Sequence, residues 1–267
     1  MSMSADNIIA YSFSISDLEY YLLILVRVTC FVYIAPFFSM NNTPNRLKIA
    51  FSAITAGLLY TSLTPAAGLT YNSVTGYAVI VMREAVTGLL IGFGATLCTS
   101  IVNFAGSIVD MEIGLSMVSL MDPATRQNTT ITGALYQNIL MLLMIVTGMY
   151  RYLLKALADS FTLIPVNGAV FHVDALLTSM IRFLGDYIII GFRICLPVFC
   201  VILLLNAVLG VLAKVSPQMN MFAVGIQLKI LAGLSTLFLT AWMLPGAANF
   251  VFEEMKKMIV VFVEAMI

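Results

Sequence analysis

The apolar residues of this chain come in runs too long and too evenly apolar for the core of a water-soluble domain. Six segments read as helices, roughly Leu18–Phe38, Leu47–Thr64, Tyr77–Asn103, Ile131–Tyr150, Phe183–Ala213 and Phe222–Leu244. Each is near or above the ~20 residues needed to cross hydrocarbon. Proline-bearing breaks separate them: Asn41-Asn42-Thr43-Pro44-Asn45, Thr64-Pro65, Asp122-Pro123, Ser216-Pro217 and Pro245-Gly246. Proline removes a backbone donor and pushes its predecessor out of the helical region, so such breaks end helices. A shorter run, Val251–Ile267, is interspersed with Glu253, Glu254, Lys256, Lys257 and Glu264. It reads as an amphipathic terminal helix or half of a final hairpin. Residues 151–182 are the only long mixed segment, holding Asp159, Pro165, Asn167-Gly168, His172 and Asp174.

Composition closes off the soluble alternative. Charged residues are 10% of 267 and hydrophobic ones 61%, whereas a soluble domain carries about 25% charge. There is too little polar surface to cover a globule, which leaves an all-α polytopic membrane protein or a component buried in an assembly. The formal net charge is zero, and no Lys/Arg run exceeds Lys256-Lys257, so nucleic acid is not an expected partner. Cys30, Cys98, Cys195 and Cys200 all lie in apolar runs without CxxC or Cys/His spacing, as small buried hydrophobes do. No basic n-region precedes the first apolar run, and no cleavable signal peptide is expected.

Orientation is not legible. With six crossings, one side carries Arg46, Lys48, Arg126 and Lys214, the other Arg83, Arg151, Lys155, Arg182, Lys256 and Lys257. The positive-inside rule needs a clearer imbalance. Either the helix count differs or the helices are not inserted conventionally.

Catalytic sets are equally lacking. The single histidine, His172, falls in a polar loop, far from any metal-ligand spacing. A membrane serine protease built on Ser116 would need a histidine inside a helix. A paired-aspartate protease would have to draw on Asp110 and Asp186. No phosphate-binding glycine loop is present. The chain reads as a non-enzyme without cofactor or metal.

A charge at mid-bilayer costs about 2.5–3.5 kcal/mol even on lenient scales, so Arg27, Glu84, Arg193, Asn206, Gln227 and Lys229 within apolar helices need a reason. One reading is ion or solute transport through Glu84, Asp110 and Glu112. The other, preferred because the charges are dispersed, is structural: hydrogen bonds and ion pairs facing protein. Gly88-Leu-Leu-Ile-Gly92 is a GxxxG arrangement, which lets one helix backbone approach another.

The stretch Glu112-Ile-Gly-Leu-Ser-Met-Val-Ser-Leu-Met-Asp-Pro-Ala-Thr-Arg-Gln-Asn128 differs from its surroundings. Gly106 and Pro123 exclude one helix running from Tyr77 into Ile131. Gly114, Ser116 and Ser119 permit bending, while Met117 and Met121 offer flexible apolar side chains that can seal and repack. Non-helical backbone at membrane depth must be buried in protein or line a watery cavity. A re-entrant or pore-facing loop and an ordinary surface loop stand level on these grounds.

Three stretches break the tie. Arg27-Val28, Ala35-Pro36 and Pro44-Asn45-Arg46-Leu47-Lys48 resemble the N-terminal signature of the FliR family of flagellar export-gate proteins. Glu112-Ile-Gly114-Leu-Ser116 followed by Asp122-Pro123 resembles its central loop. Leu212-Ala-Lys214-Val-Ser216-Pro217-Gln218-Met219-Asn220-Met-Phe222 resembles its late turn. The resemblance covers essentially the whole chain; injectisome relatives share the architecture, but the Ser-Pro-Gln-Met-Asn turn looks flagellar.

The resemblance implies a subunit of the type III export gate in the bacterial inner membrane, at the flagellar basal body. FliP-like and FliQ-like subunits, an FlhB-like export-switch protein near the C-terminal segment, and unfolded export substrates are the implied partners. Residues 1–180 would form a FliP-like part and 181–267 a FliQ-like hairpin with its amphipathic end. Carried over, the channel plug spans Ile113 to about Thr129, with Glu112, Gly114, Leu115, Ser116, Met117, Met121, Asp122 and Pro123 as plug and gating residues. Packing roles fall to Arg27, Pro36, Pro44, Arg46, Glu84, Gly88, Gly92, Asn206, Pro217 and Gln218.

Overall fold

A computed structural model describes residues 15–40, 43–63, 71, 73–115, 120–121, 128–216 and 221–267. Eight α-helices run through these residues: α1 (Ile15–Ile34), α2 (Asn45–Ser62), α3 (Val74–Ile113), α4 (Ile131–Val146), α5 (Met149–Leu163), α6 (Val173–Val215), α7 (Met221–Thr240) and α8 (Leu244–Glu264). A 3-10 turn, Ala241–Met243, joins the last two. The two-residue strands β1 (Leu120–Met121) and β2 (Asn128–Thr129) pair antiparallel, Leu120 opposite Thr129 and Met121 opposite Asn128.

Several sequence boundaries are corrected. The third helix does not end at Asn103: α3 continues ten residues further, through Gly106, because Gly106 packs on another backbone instead of breaking the helix. Glu112 and Ile113 are therefore helical, and the central loop begins at Gly114. The expected fourth helix splits at Thr147-Gly148, where Gly148 adopts a left-handed φ of 72°, and α4 and α5 meet at a 71° bend. The mixed segment 151–182 is mostly helix, comprising the rest of α5 and the first turns of α6. Its polar residues mark the exposed face of α5, whose apolar face buries Leu153, Leu157 and Phe161.

Length separates these helices from simple spans. At 1.5 Å per residue, α3 with 40 residues and α6 with 43 are about 60–65 Å long, twice the ~30 Å hydrocarbon layer. Three helical segments are long and apolar enough to cross a membrane, α3, α6 and the α7–α8 stretch Val224–Glu264, or four if the bent α4–α5 pair counts as one span. This replaces the six crossings read from the sequence, and the protein is a membrane protein on these helices.

The chain has two storeys. In the lower one, α1, α3, α4, α5, the first half of α6 and α8 enclose a core that includes Leu23, Phe31, Ile91, Met144, Leu157 and Phe262. The end of α8 closes onto the entry to α6, where the amides of Val170 and His172 donate to the carbonyls of Met266 and Ala265. His172 is exposed at the start of α6. In the upper storey, α6 and α7 form an antiparallel hairpin, with Leu209 against Gly225. Among the described residues that hairpin packs chiefly on the last turns of α3, through Ala105, Val109, Ile113, Cys195, Val198 and Ile202. Its other faces are apolar and exposed, among them Leu204, Val208, Val211, Leu231 and Phe238.

Outside the spanning segments, the hydroxyl of Tyr71 donates to Glu19 Oε1 at 2.7 Å. That bond to a carboxylate raises the Tyr71 pKa above the ordinary tyrosine range.

Candidate functional site

The first site is a buried ion pair. Arg27 on α1 and Glu84 on α3 are both fully buried, with Arg27 Nε 2.6 Å from Glu84 Oε2. Arg27 Nη1 also donates to the carbonyls of Ser160 and Ile164, at 3.2 and 3.0 Å. Ser160 lies in the last turn of α5 and Ile164 is its C-cap, so the guanidinium sits at the negative end of that helix. The guanidinium carbon sits 4.2 Å from the centre of the Phe161 ring, a cation–π contact, and Nη2 has no acceptor among the described residues. Glu84 Oε1 accepts from the amide of Asn167 at 2.9 Å, in a turn where Asn167 takes a left-handed φ of 68°. Four elements thus meet at one pair: α1, α3, the end of α5 and the turn into α6.

Two glycines on α3 let α1 come close enough to form this pair. A Cβ on Gly88 would overlap the backbone carbonyl of Arg27, and one on Gly92 would lie 3.1 Å from the carbonyl of Phe31. The GxxxG spacing therefore faces α1, one and two turns along from Glu84. Pro36 is buried just after α1, Pro44 caps α2, and Arg46 is exposed on the first turn of α2. Lys48 folds back to donate to the carbonyl of Ser39 at 3.0 Å.

The second site is the base of the central loop. Gly114 ends α3 in the left-handed region, φ 91°, with its amide bonded to the carbonyl of Asp110 at 3.1 Å. The next residue, Leu115, packs on the hairpin cluster of the upper storey. Across the loop, the Thr130 side chain caps α4 by accepting from the amide of Gly133 at 3.3 Å. Asp110, 1% exposed, reaches over from α3 to the same helix end. Its Oδ2 accepts from the amide of Thr132 at 2.9 Å and its Oδ1 from the Thr132 hydroxyl. One turn below, Gly106 lies so near the Gly133 backbone that no Cβ would fit. On the other flank Ile113 fills the space a side chain at Gly233 would need.

Of the expected plug and gating residues, Glu112, Gly114 and Leu115 lie at this base. Ser116, Met117, Asp122 and Pro123 lie outside the described residues, as do Pro217 and Gln218; Met121 is described only through its backbone pairing in β1–β2. Asn206 is exposed on the hairpin face of α6. Thr132, Asn167 and the Gly106–Gly133 approach were not singled out from the sequence. Thr130-x-Thr132-Gly at a helix entry carries a capping signal, but nothing local says which carboxylate will reach it. Among the described residues no group of His, Cys, Asp or Glu could hold a metal ion.

Fold and sites together define a polytopic helical membrane protein with a buried Arg27–Glu84 pair and a buried carboxylate, Asp110, bonded to the first turn of α4. Residues 18–255 match the family model for bacterial export proteins, family 1. The chain belongs to that family, which is the FliR family. It is similar to flagellar biosynthetic protein FliR of Bacillus subtilis, with 28% identity over 79% of this chain and 81% of the relative. Over 88% of each chain it is 27% identical to FliR of Escherichia coli. Against FliR of Aquifex aeolicus the identity is 26%, over 91% of this chain and 93% of the relative.

Proposed function

We propose that the chain is a subunit of the flagellar type III protein export gate in the bacterial inner membrane, and that residues 114–129 close its channel. The family match along residues 18–255 carries the export assignment. What supports the closure is the hairpin loop between α3 and α4, clamped at its base and flanked by a hairpin that leaves much apolar surface for neighbouring subunits. A single chain offering so much unpartnered apolar surface suits assembly with FliP-like and FliQ-like subunits. An FlhB-like switch protein would meet the C-terminal region, and unfolded flagellar proteins would be the cargo. On this reading a FliP-like part would cover 1–180 and a FliQ-like hairpin 181–267, with α8 packing back onto the core of the first part.

A transport site built on Glu84, Asp110 and Glu112 would have two of its three carboxylates, Glu84 and Asp110, already engaged. Both carboxylates are buried and hydrogen-bonded to fixed partners, so neither is free to bind or hand on an ion.

The test has two arms. Purified from membranes under mild detergent, the tagged chain should bring two other small hydrophobic chains with it; recovery alone or as a symmetric homo-oligomer would sink the assembly reading. Deleting residues 114–121, or replacing Met117 and Met121 by glycine, should leave the complex intact and make cells leak ions. Unchanged conductance would remove the closure role.

A further inference from the structure

We propose that the cavity between the first half of α6 and α8 binds the headgroup of a zwitterionic phospholipid. Its phosphate meets Arg182, and its primary ammonium, as in phosphatidylethanolamine, meets Asp186. The inference needs only the membrane setting of these helices and is independent of the export and closure readings.

The cavity holds about 710 Å³, a volume typical of small-molecule pockets. Arg182 and Asp186 line it from α6, and Glu254, Lys256 and Lys257 from α8. The α8 charges are met within their own helix: Lys256 by Glu253 at 2.8 Å and Lys257 by Glu254 at 3.2 Å. Arg182 and Asp186 are different. Neither side chain makes an ion pair or a hydrogen bond to another described residue. They stand four positions apart on α6, but with the cation N-terminal to the anion, the poorer order for pairing along a helix.

Two unmatched charges of opposite sign thus share one cavity, about 6 Å apart along the helix axis. A phosphate and an ammonium joined by two carbons can span that spacing. The arginine fork matches phosphate oxygens, and Lys256 and Lys257 add positive charge on the facing wall. Asp186 accepts from an ammonium and repels a simple anion, so a zwitterion gains more here than a phosphate alone. Phe183 and Val260, which also line the cavity, give the glycerol end of a lipid an apolar wall.

Depth argues for a lipid over a soluble ligand. Residues 187–213 of α6 carry one charge, Arg193, whereas 174–186 carry three. Residues 230–252 of the α7–α8 stretch carry none, whereas 253–257 carry four. The end of α8 meets the entry to α6, so the two helices run antiparallel, and both pass from apolar to charged at this cavity. At 1.5 Å per residue the uncharged stretch 230–252 is about 35 Å long, enough for the ~30 Å hydrocarbon layer. The cavity therefore sits where headgroups sit, and charged pockets between helices at that depth recognise them.

The experiment is native mass spectrometry of the assembled complex, exchanged in detergent with equal amounts of phosphatidylethanolamine, phosphatidylcholine and phosphatidylglycerol. Retention is read as the excess over the double variant Arg182→Gln with Asp186→Asn, so that lipid held elsewhere cancels. The parent should retain phosphatidylethanolamine at least threefold over phosphatidylcholine, whose trimethylated nitrogen has no N–H for Asp186, and over phosphatidylglycerol, which has no cation. Asp186→Asn should erase that preference to within twofold, and Arg182→Gln should lower retention of phosphatidylethanolamine at least threefold. Lys155→Gln, the same charge change at an exposed position of α5, should stay within twofold of the parent. Should a variant fail to accumulate, the parent's own order of the three lipids decides. Equal retention by the parent and the double variant would overturn the proposal. So would a preference for phosphatidylglycerol, which is general attraction of anions, or an image of the complex with a neighbouring subunit's side chains filling the cavity.

Discussion

At the residue scale, the energetic centre of the lower storey is the pair Arg27–Glu84. A buried pair is not by itself a source of net stability, because desolvation offsets much of the attraction. Its weight lies in what happens when one partner is removed. Glu84→Gln leaves a buried guanidinium without its counter-charge, at a cost of about 3–5 kcal/mol. The expected outcome is a large fall in the thermal midpoint of the purified complex and in chain abundance. The double change Arg27→Met with Glu84→Met should recover much of that loss, since apolar replacements of similar size carry no desolvation penalty. If the double variant were no better than the single one, the pair would matter for more than charge balance.

At the element scale, helix approach decides which glycines are indispensable. Gly88 and Gly185 are both helical glycines in apolar surroundings, so sequence propensity treats them alike. In the structure Gly88 touches the backbone of α1, whereas a side chain at Gly185 would find nothing within 4 Å. Gly88→Ala must push α1 away from α3 and strain the ion pair one turn along, costing at least the ~1–3 kcal/mol typical of overpacking. Gly185→Ala should be neutral, or gain up to ~1 kcal/mol from helix propensity. Gly92→Ala, with its nearest contact at 3.1 Å, should fall between them. Thermal midpoints of the three variants check this order; a Gly88→Ala complex as stable as the parent would refute it.

At the scale of the whole molecule, the two storeys differ in what they enclose. The lower one has a packed core, while among the described residues the upper hairpin packs chiefly on the end of α3 and leaves much apolar surface exposed. Thiol chemistry should map the difference. Cys98 and Cys195 are buried, Cys30 is partly covered and Cys200 is exposed on α6. In detergent, N-ethylmaleimide should label Cys200 fastest and Cys30 more slowly. Cys98 and Cys195 should react only after unfolding. Labelling counted by mass spectrometry tests this directly, and rapid modification of Cys195 would mean that the hairpin does not hold α3 as described.

Much was legible from the chain alone, for identifiable physical reasons. Apolar run length fixed the helical, membrane-bound class, because hydrocarbon tolerates only internally bonded backbone. The proline breaks before α2 and α8 fell where helices start, because proline's missing donor is harmless in a first turn. Gly106 misled, since a glycine that permits close packing reads the same as one that ends a helix. The polar residues of 151–182 masked α5 for a similar reason: a half-exposed helix with a polar face resembles a loop in a chain this apolar. Which carboxylate would meet Arg27, and that Asp110 would cap a helix 22 residues away, depends on how helices cross. The sequence by itself determined that this is a helical membrane protein with a broken, methionine-bearing loop at its centre, because those properties are sums over local residues. That Arg27 would meet Glu84, and that Asp110 would reach the first turn of α4, was left to the folded molecule, because hydrogen-bond partners distant in sequence are chosen by packing.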